Sequence, residues 1–506
     1  MTRPLGARQR STRIALLACT LASAAAGAQE LSECRIPGLR NSVRCGVLVR
    51  PLDPARPQGP TLDIHVAIVP AMARRKLPDP VFLLAGGPGQ SAIGVAAQVM
   101  PLFSRLNNRR DIVFVDQRGT GRSAPLDCAD PKRESLDDQS GIDEQVQQAI
   151  ACRDALVKLP YIPSASALGL FTTTIAVQDL DAVRRRLGAA QIDLVGVSYG
   201  TRVALEYMRQ FPTAVRRAVL DSVAPADMAL PASFSTDGQA ALDAVFSACR
   251  SQPPCAAAYP DLHRDWEHLL SRLPLPAVSP HPLSGEPQQF TLTREMVLGA
   301  VRGALYNPAI AAALPAAIHR AAAGRYEGLI GIGSVLGSRR GLQLSMGMHY
   351  SVICAEDAPL LEPSTDSPAV VDVGSNPPGV DFGSTYAQLY RRVCAAWPRG
   401  PVPSAFYTIA PTRVATLLLS GGNDPATPPR HAARVARALG PAARHVVVPH
   451  AGHGVLAIGC GKELLYQFID AGDDLAAAAL DPACLTAVPR PTVFQPTQLT
   501  TQGVPE

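Results

Sequence analysis

A serine between two glycines is the first feature of the chain that can do chemistry. Ser198 is the centre of the pentapeptide Gly-Val-Ser-Tyr-Gly at residues 196–200, after apolar residues 192–195 and before a helical pattern over residues 201–209. A nucleophile on a tight turn from strand to helix needs small neighbours, because the backbone leaves no room there for Cβ atoms. This context predicts Ser198 as a nucleophile, and the alternative is a chance match in a loop.

A serine hydroxyl is a weak nucleophile, so it needs a base and an acidic group that orients the base. Asp424 follows the apolar run 414–419, and His453 stands between two glycines after the next such run. The order serine, acid, histidine is that of hydrolases with this kind of serine turn. The alternatives are that Asp424 is a turn residue before proline and that His450 is the base.

Two backbone N–H groups are predicted to stabilise the oxyanion that forms when the serine attacks. One belongs to Tyr199, directly after the nucleophile, and the other to Gly87 in the Gly-Gly-Pro-Gly run at residues 86–89. Pro88 has no N–H, which favours Gly87 within that run. The alternative is a plain turn without catalytic function.

These residues follow short apolar runs that predict buried parallel strands, separated by helical patterns. Strands that alternate with helices predict an α/β fold with a mostly parallel, doubly wound sheet. Between about residues 224 and 400 the alternation stops, and the pattern becomes Ala-rich and mainly helical, which predicts an inserted cap. The apolar runs are residues 81–85, 112–115, 192–195, 218–220, 414–419 and 445–448, while residues 43–52 and 62–69 have the β-branched character of two earlier strands that form a hairpin at the edge of the sheet.

The predicted organisation has five parts: a signal peptide (1–28), a first core part (29–223), the cap (224–400), a second core part with the acid and the histidine (401–486), and an extended tail (487–506). Four arginines precede an apolar run and an Ala-Gly-Ala site that ends at Ala28, which is typical of a cleaved Sec signal. A faint lipobox at Cys19 offers lipidation as the alternative. The sequence therefore predicts a periplasmic or secreted protein without stable membrane insertion.

The composition, with 47% hydrophobic and 18% charged residues, is that of a globular protein and excludes a disordered or collagen-like chain. Removal of residues 1–28 lowers the formal net charge from +5 to +1, because that segment holds four arginines and no acidic residue. A nucleic-acid partner is therefore not expected. Cysteine and histidine spacing indicates neither a metal site nor a cofactor, and oligomeric state stays open.

Several ordered motifs, from about residue 40 to 490, resemble the proline iminopeptidase and tripeptidyl aminopeptidase family of α/β-hydrolase serine peptidases. The resemblance is closest to the secreted, tripeptidyl-aminopeptidase-like branch, in which a helical cap interrupts the hydrolase core, and it implies removal of residues from a free peptide N-terminus. Tyr199 differs from the tryptophan usual in the cytoplasmic prolyl branch, which leaves a proline preference open. The motifs are Gly86-Gly87-Pro88-Gly89, Asp116-Gln117-Arg118-Gly119-Thr120-Gly121-Arg122-Ser123, Gly196-Val197-Ser198-Tyr199-Gly200, Asp424 and Gly452-His453-Gly454.

An exopeptidase that binds a free amine needs acidic groups, because a buried ammonium without a partner is costly. Glu356 and Asp357 are the candidates, since the resemblance places a similar acidic segment after a cysteine near the site. The alternative is a solvated pair or a helix cap. We expect the segment 116–123 to shape the turn beneath the site rather than to react.

The expected function is that of an exported serine aminopeptidase of prolyl or tripeptidyl type, which acts on peptides with a free N-terminus through a Ser-His-Asp acyl-enzyme mechanism. The same three residues also serve a carboxylesterase or amidase on small non-peptide substrates, which is the main alternative. A catalytically silent hydrolase fold used for binding is the alternative from another class.

Ten cysteines remain after residue 28, an even number that suits an oxidising compartment. Sequence alone does not determine their connectivity. Pairing of neighbours minimises the entropy of loop closure. It gives five predicted bridges: Cys34–Cys45, Cys128–Cys152, Cys249–Cys255, Cys354–Cys394 and Cys460–Cys484.

Overall fold

A computed structural model gives the fold of the chain. It describes residues 1–2, 31–129, 136, 141–282, 284–337, 343–361 and 382–495. The expected signal peptide, from residue 3 onward, and the part of the expected tail after residue 495 lie outside the described residues.

The described residues form eleven strands, nine of them in one sheet whose order is β1-β2-β3-β5-β4-β6-β7-β10-β11. Strands β8 and β9 pair only with each other. The strands are β1 (Ser32–Cys34), β2 (Val43–Pro51), β3 (Thr61–Val69), β4 (Val81–Leu84), β5 (Ile112–Val115), β6 (Ile192–Val197), β7 (Val215–Asp221), β8 (Leu275–Pro280), β9 (Pro287–Leu292), β10 (Ala415–Gly421) and β11 (Ala443–Val448).

The large sheet is antiparallel at one edge, where β1, β2, β3 and β5 pair in succession. From β5 through β4, β6, β7 and β10 to β11, every pair is parallel. The carboxyl ends of these six strands therefore lie along one edge of the sheet, where ligands and catalytic groups gather in open α/β sheets. The fold is an α/β-hydrolase fold, which confirms the predicted fold class.

Helices surround the sheet on both faces, as the continuous apolar strands predict. In β4, Phe82 and Leu84 belong to one hydrophobic core and Val81 and Leu83 to the other, so both sides of the strand are buried. The helices are α1 (Ala92–Phe103), α2 (Ile142–Leu156), α3 (Thr173–Arg186), α4 (Tyr199–Gln210), α5 (Leu230–Ser251), α6 (Pro253–Ala258), α7 (Leu262–Ser271), α8 (Arg294–Leu305), α9 (Pro308–Ala311), α10 (Leu314–Ala322), α11 (Glu327–Gly337), α12 (Met346–Val352), α13 (Thr385–Ala396), α14 (Pro429–Leu439), α15 (Gly461–Asp470), α16 (Asp474–Ala478) and α17 (Ala483–Thr486).

Helices α5 to α13 lie between β7 and β10, and residues of α5 to α11 form a separate hydrophobic core around the fully buried Trp266. Met348 of α12 and Val393 of α13 instead join the core on one face of the sheet. The β8–β9 hairpin also belongs to this region, and its inward residues Phe290 and Leu292 join the core around Trp266. The sequence did not indicate this hairpin, because the prolines near both ends of β8 and at the start of β9 mask its short alternating pattern.

Five disulfides join the described cysteines, in the same pairs that loop closure favours: Cys34–Cys45, Cys128–Cys152, Cys249–Cys255, Cys354–Cys394 and Cys460–Cys484. The fourth bridge ties helix α13 to a π-helical turn at Ile353–Asp357. Each bridge constrains the unfolded chain and so stabilises the fold by about 2–4 kcal/mol.

Candidate active site

Ser198 occupies the sharp turn between β6 and α4, as the pentapeptide predicts. Its φ of 57° and ψ of −126° lie outside the regions favoured by residues with a Cβ, so the turn holds local backbone strain. The N–H of Ser198 donates to the carbonyl of Asp221 at the end of β7, at 2.9 Å. This contact fixes the strained turn against the neighbouring strand.

The glycines on either side of Ser198 are required by steric contact. A Cβ on Gly196 would lie 2.5 Å from the carbonyl oxygen of Gly200, and a Cβ on Gly200 would lie 2.0 Å from that of Leu84 in β4. Both distances are far below van der Waals contact. The close packing of the turn against β4 therefore explains why the motif needs glycine at both positions.

Asp424 and His453 form the pair expected of an acid and a base. The Nδ1 of His453 donates to Oδ2 of Asp424 at 2.8 Å, which leaves Nε2 as the nitrogen available to a serine. The other oxygen of Asp424 accepts the N–H groups of Ala426 and Thr427, and the Thr427 hydroxyl donates to Oδ2. Each of these groups donates a hydrogen bond to the buried carboxylate, which stabilises its charged form.

The loops that carry this pair pack tightly on each other through glycines. A Cβ on Gly421, at the end of β10, would lie 1.9 Å from the carbonyl oxygen of Gly452. A Cβ on Gly422 would lie 2.3 Å from the carbonyl oxygen of Pro449. The Gly-Gly pair before the acid therefore permits the acid loop to approach the histidine loop.

Asp221 links the serine turn to the histidine loop. While its carbonyl accepts the N–H of Ser198, its carboxylate accepts the N–H groups of Val455 and Leu456 at 2.8–2.9 Å. The N–H of His453 donates to the carbonyl of Tyr306, just after α8, at 2.9 Å. Asp221 thus holds together the two loops that carry the serine and the histidine.

The pKa values of the pair follow from these contacts. Burial alone would raise the pKa of Asp424, but the positive charge that His453 can carry and the surrounding donors lower it to about 2. Burial lowers the pKa of His453, but Asp424 outweighs this and raises the pKa above its usual value. Asp424 therefore stays ionised, and His453 needs a pH above its raised pKa to act as a base.

The loop after β4 lies beside Ser198, because β4 and β6 pair with Leu84 opposite Gly196. A Cβ on Gly86 would lie 3.2 Å from that of Ser198. Gly87 has a φ of 110°, a backbone conformation that glycine adopts readily and residues with a Cβ rarely adopt. Among the described residues, no group accepts the N–H of Gly87 or of Tyr199, the first residue of α4.

The motif at residues 116–123 supports this loop from below. Asp116 accepts the hydroxyl of Ser91 at 2.6 Å and the N–H of Ile93 at the start of α1, the helix that follows the loop. The side chain of Arg118 is fully buried and ion-paired with Asp179. These contacts are structural, in line with the expectation that this segment shapes the turn.

Glu356 and Asp357 do not have the open position that an amine-binding site requires. Both are fully buried and bind Arg202 of α4, with Asp357 at 2.9–3.0 Å and Glu356 at 3.3 Å. Glu356 also accepts the N–H of Thr173. Burial raises the pKa of Glu356 to about 7, against the opposing effect of Arg202. The structure therefore supports neither an amine-binding role nor a solvated pair. It agrees with the alternative of a helix cap, because Glu356 accepts the N–H of the first residue of α3 and Asp357 accepts the N–H of Leu230, the first residue of α5.

Four residues of the site escaped sequence analysis: Asp221, Arg302, Tyr306 and Thr427. Asp424 accepts the backbone N–H groups two and three residues ahead of it, a local pattern that is common for aspartate, so the sequence held a signal that places Thr427 beside the acid. The other three reach the site only through contacts between distant parts of the chain. Tyr306, for example, packs its ring edge-on against His453 with the centroids 4.9 Å apart.

Within the described ranges, no group of three or more His, Cys, Asp or Glu side chains has the arrangement of a metal site. No helix in those ranges is long and apolar enough to cross a membrane.

Two protein-family models match the chain. A model described as the alpha/beta hydrolase fold matches residues 79–250, which include Gly87, Ser198 and Tyr199. A model described as TAP-like protein matches residues 380–476, which include Asp424 and His453.

Similar proteins are a tripeptidyl aminopeptidase of Streptomyces lividans and the serine protease Hip1 of Mycobacterium tuberculosis. The first is 32% identical over 195 residues, which are 37% of this chain and 36% of that protein. The second is 27% identical over 423 residues, 78% of each chain. The match therefore spans only about 36% of the length of the tripeptidyl aminopeptidase. A solved proline iminopeptidase from Mycobacterium smegmatis aligns with 85% of this chain and 100% of its own, at 15% identity and a TM-score of 0.35.

Proposed function

We propose that this chain, which belongs to the α/β-hydrolase fold family and has a TAP-like C-terminal part, is an exported serine aminopeptidase of prolyl or tripeptidyl type. The observation that carries the proposal is the Asp424–His453 pair, held next to the strained Ser198 turn by Asp221. The similarity of the chain to a tripeptidyl aminopeptidase and to a serine protease supports peptides as the substrate. The five disulfides support an oxidising compartment.

The mechanism assigns one role to each group. The Nε2 of His453 accepts the proton of Ser198 as its hydroxyl attacks the carbonyl of the scissile bond. Asp424 holds His453 in the tautomer with a proton on Nδ1 and stabilises the imidazolium. The N–H groups of Gly87 and Tyr199 stabilise the oxyanion. His453 then protonates the leaving amine, and water hydrolyses the acyl-enzyme by the same steps in reverse order.

Hydrolysis of small esters or amides is the second candidate, and one observation favours it. An aminopeptidase needs a carboxylate for the substrate amine, yet Glu356 and Asp357 are fully buried and bound to Arg202. An esterase has no such requirement. The two functions share the same nucleophile and differ only in what the substrate must carry.

A comparison of unblocked peptides, the same peptides with N-acetyl groups, and matched esters distinguishes these functions. We expect the unblocked peptides to have the highest kcat/KM and the acetylated ones to react poorly. Ser198→Ala controls for activity from contaminating enzymes. Equal rates with free and blocked amines would contradict the aminopeptidase proposal, and activity on esters alone would establish the second candidate.

A further inference from the structure

Arg302 in α8 is half-buried, and it differs from the fully buried arginines of the molecule in its partners. The arginines Arg118, Arg202 and Arg217 each bind a carboxylate. Among the described residues, no carboxylate lies within ion-pair distance of Arg302, and its Nε is buried without a hydrogen-bond partner. Within the part of the chain that the structure describes, its positive charge therefore has no counterion.

Aromatic rings surround this guanidinium. It lies 3.9 Å from the ring centre of Phe234 in α5 and 5.4 Å from that of Tyr386 in α13, and it donates to the hydroxyl of Tyr306 at 2.8 Å. Cation–π contacts of this kind stabilise a guanidinium only partly. Some N–H donors of the planar guanidinium, whose geometry matches that of a carboxylate, therefore remain available.

The aromatic surroundings of Arg302 reach the catalytic histidine on one side. Tyr306 lies one helical turn after Arg302, its carbonyl accepts the N–H of His453, and its ring packs on the imidazole. A group that binds next to Arg302 is therefore separated from His453 by the width of one ring.

The aromatic residues around Arg302 are also connected to the loop at residues 86–89, in which Gly87 is the expected oxyanion donor. Phe234 contacts Tyr390, whose hydroxyl lies 2.7 Å from Nε2 of His349, and Nδ1 of His349 lies 3.2 Å from the carbonyl oxygen of Pro88. A carbonyl only accepts, so Nδ1 carries the proton and Nε2 accepts from Tyr390. Burial lowers the pKa of His349 to about 4, and the charge of Arg302 acts in the same direction, so this histidine is neutral.

We propose that Arg302 binds a carboxylate of the substrate on the leaving-group side of the scissile bond. This inference rests on the proposed function, in which His453 protonates the leaving amine, so that the leaving part departs past His453 and Tyr306. Arg302 supplies the positive charge on that side. The substrate class is then a peptide with a carboxylate shortly after the cleaved bond, either the C-terminus of a short peptide or an acidic side chain.

The test compares short peptides as free C-terminal acids and as C-terminal amides, and longer amidated peptides with Asp or Asn after the cleaved bond. For the wild-type chain we expect the carboxylate form to have a kcat/KM higher by about 10- to 100-fold, the range for a charge-assisted hydrogen bond. A preference for the C-terminal acid over the amide identifies the C-terminus as the carboxylate that binds. A preference for Asp over Asn identifies an acidic side chain.

Arg302→Met should abolish this preference, because it should lower kcat/KM for the carboxylate substrates much more than for the neutral ones, while Arg302→Lys should keep part of the preference. Arg320→Met, which removes a charge from an exposed position of α10, is the matched control and should keep the full preference. Equal rates for acids and amides in the wild-type chain, or a preference that persists in Arg302→Met, would overturn the inference. If Arg302→Met does not fold, the smaller preference of Arg302→Lys decides.

A second readout separates this inference from the proposed function. A fluorophosphonate that labels Ser198 requires no peptide hydrolysis, and an N-acetyl amino acid should slow labelling of the wild-type chain more than its amide does. Arg302→Met should remove that difference. Failure of all peptides as substrates, with this protection intact, would reject the aminopeptidase and retain the carboxylate site. Equal protection by acid and amide would reject the site.

Discussion

At Asp424, four donors converge on one buried carboxylate: the N–H groups of Ala426 and Thr427, the Thr427 hydroxyl and Nδ1 of His453. Against the effect of burial, these donors lower the pKa of Asp424 to about 2, so the acid is ionised at neutral pH. The negative charge in turn raises the pKa of His453. Asp424 therefore fixes the tautomer of the base and raises its pKa.

Asp424→Asn removes the charge and leaves the shape, so we expect kcat to fall about 10⁴-fold. In the wild-type chain, kcat/KM should rise with pH through the raised pKa of His453, above 6.5. In the variant, this limb should move to lower pH, because the charge that favours the imidazolium is gone. Asp243→Asn, at an exposed position, is the control. An unchanged limb in Asp424→Asn would contradict the assignment of the pair.

The glycines of the serine turn lead to a prediction about stability. Gly200→Ala would place a Cβ 2.0 Å from a backbone oxygen, so we expect it to lower the free energy of unfolding by about 3 kcal/mol or more. Gly299→Ala in α8, where a Cβ meets no atom within 4 Å, should raise that free energy by up to about 1 kcal/mol. Urea unfolding measures both, and equal stability of the two variants would contradict the steric explanation.

At the scale of elements, the active site depends on the carboxyl ends of neighbouring parallel strands. The apolar runs predicted β4, β6 and β10 and the residues that follow them, because a strand buried on both faces has a distinctive continuous pattern. Strand order did not follow from the sequence, since pairing joins runs that lie far apart. Asp221 shows the consequence. It ends a strand that the sequence predicts, but its contacts with the Ser198 turn after β6 and with the loop after β11 depend on the strand order β6-β7-β10-β11.

Asp221→Asn tests the link between these strand ends. An amide oxygen in the place of Oδ2 still accepts the N–H groups of Val455 and Leu456, but it carries no charge, and the N–H₂ in the place of Oδ1 faces the N–H of Val455, so these bonds become weaker. We expect a loss of about 1–3 kcal/mol in stability and a lower kcat, with faster hydrogen exchange at residues 454–456. Asp63→Asn, at an exposed site in β3, serves as the control. Unchanged exchange in Asp221→Asn would show that the histidine loop does not depend on this carboxylate.

At the scale of the whole molecule, the sequence predicted the disulfide bridges best and the positions of buried charged side chains least well. Cysteine spacing predicted the same five pairs that the structure joins, because local loop closure favours neighbours. By contrast, the burial of Glu356 and Asp357 against Arg202 joins residues about 155 positions apart, and no local pattern reports such a contact. The same reason hid Arg302, whose neighbours come from three helices.

The disulfides lead to a prediction about the whole molecule. Replacement of Cys354 and Cys394 by serine opens a bridge with a sequence separation of 40, and chain entropy predicts a loss of about 4 kcal/mol. The same change at Cys249 and Cys255, which are six residues apart, should cost only about 2 kcal/mol. Denaturant unfolding of the two double variants measures the difference. A larger loss at the shorter loop would contradict the entropic account.

The central claim is that Ser198 is the nucleophile of a serine hydrolase, and covalent labelling tests it most directly. The full chain is treated with a fluorophosphonate, and the modified residue is located by peptide mass spectrometry. We predict modification of Ser198, no modification of Ser198→Ala, and a loss of turnover in that variant on the order of 10⁴-fold or more. Modification of a different serine, or turnover by Ser198→Ala close to that of the wild-type chain, would contradict the account.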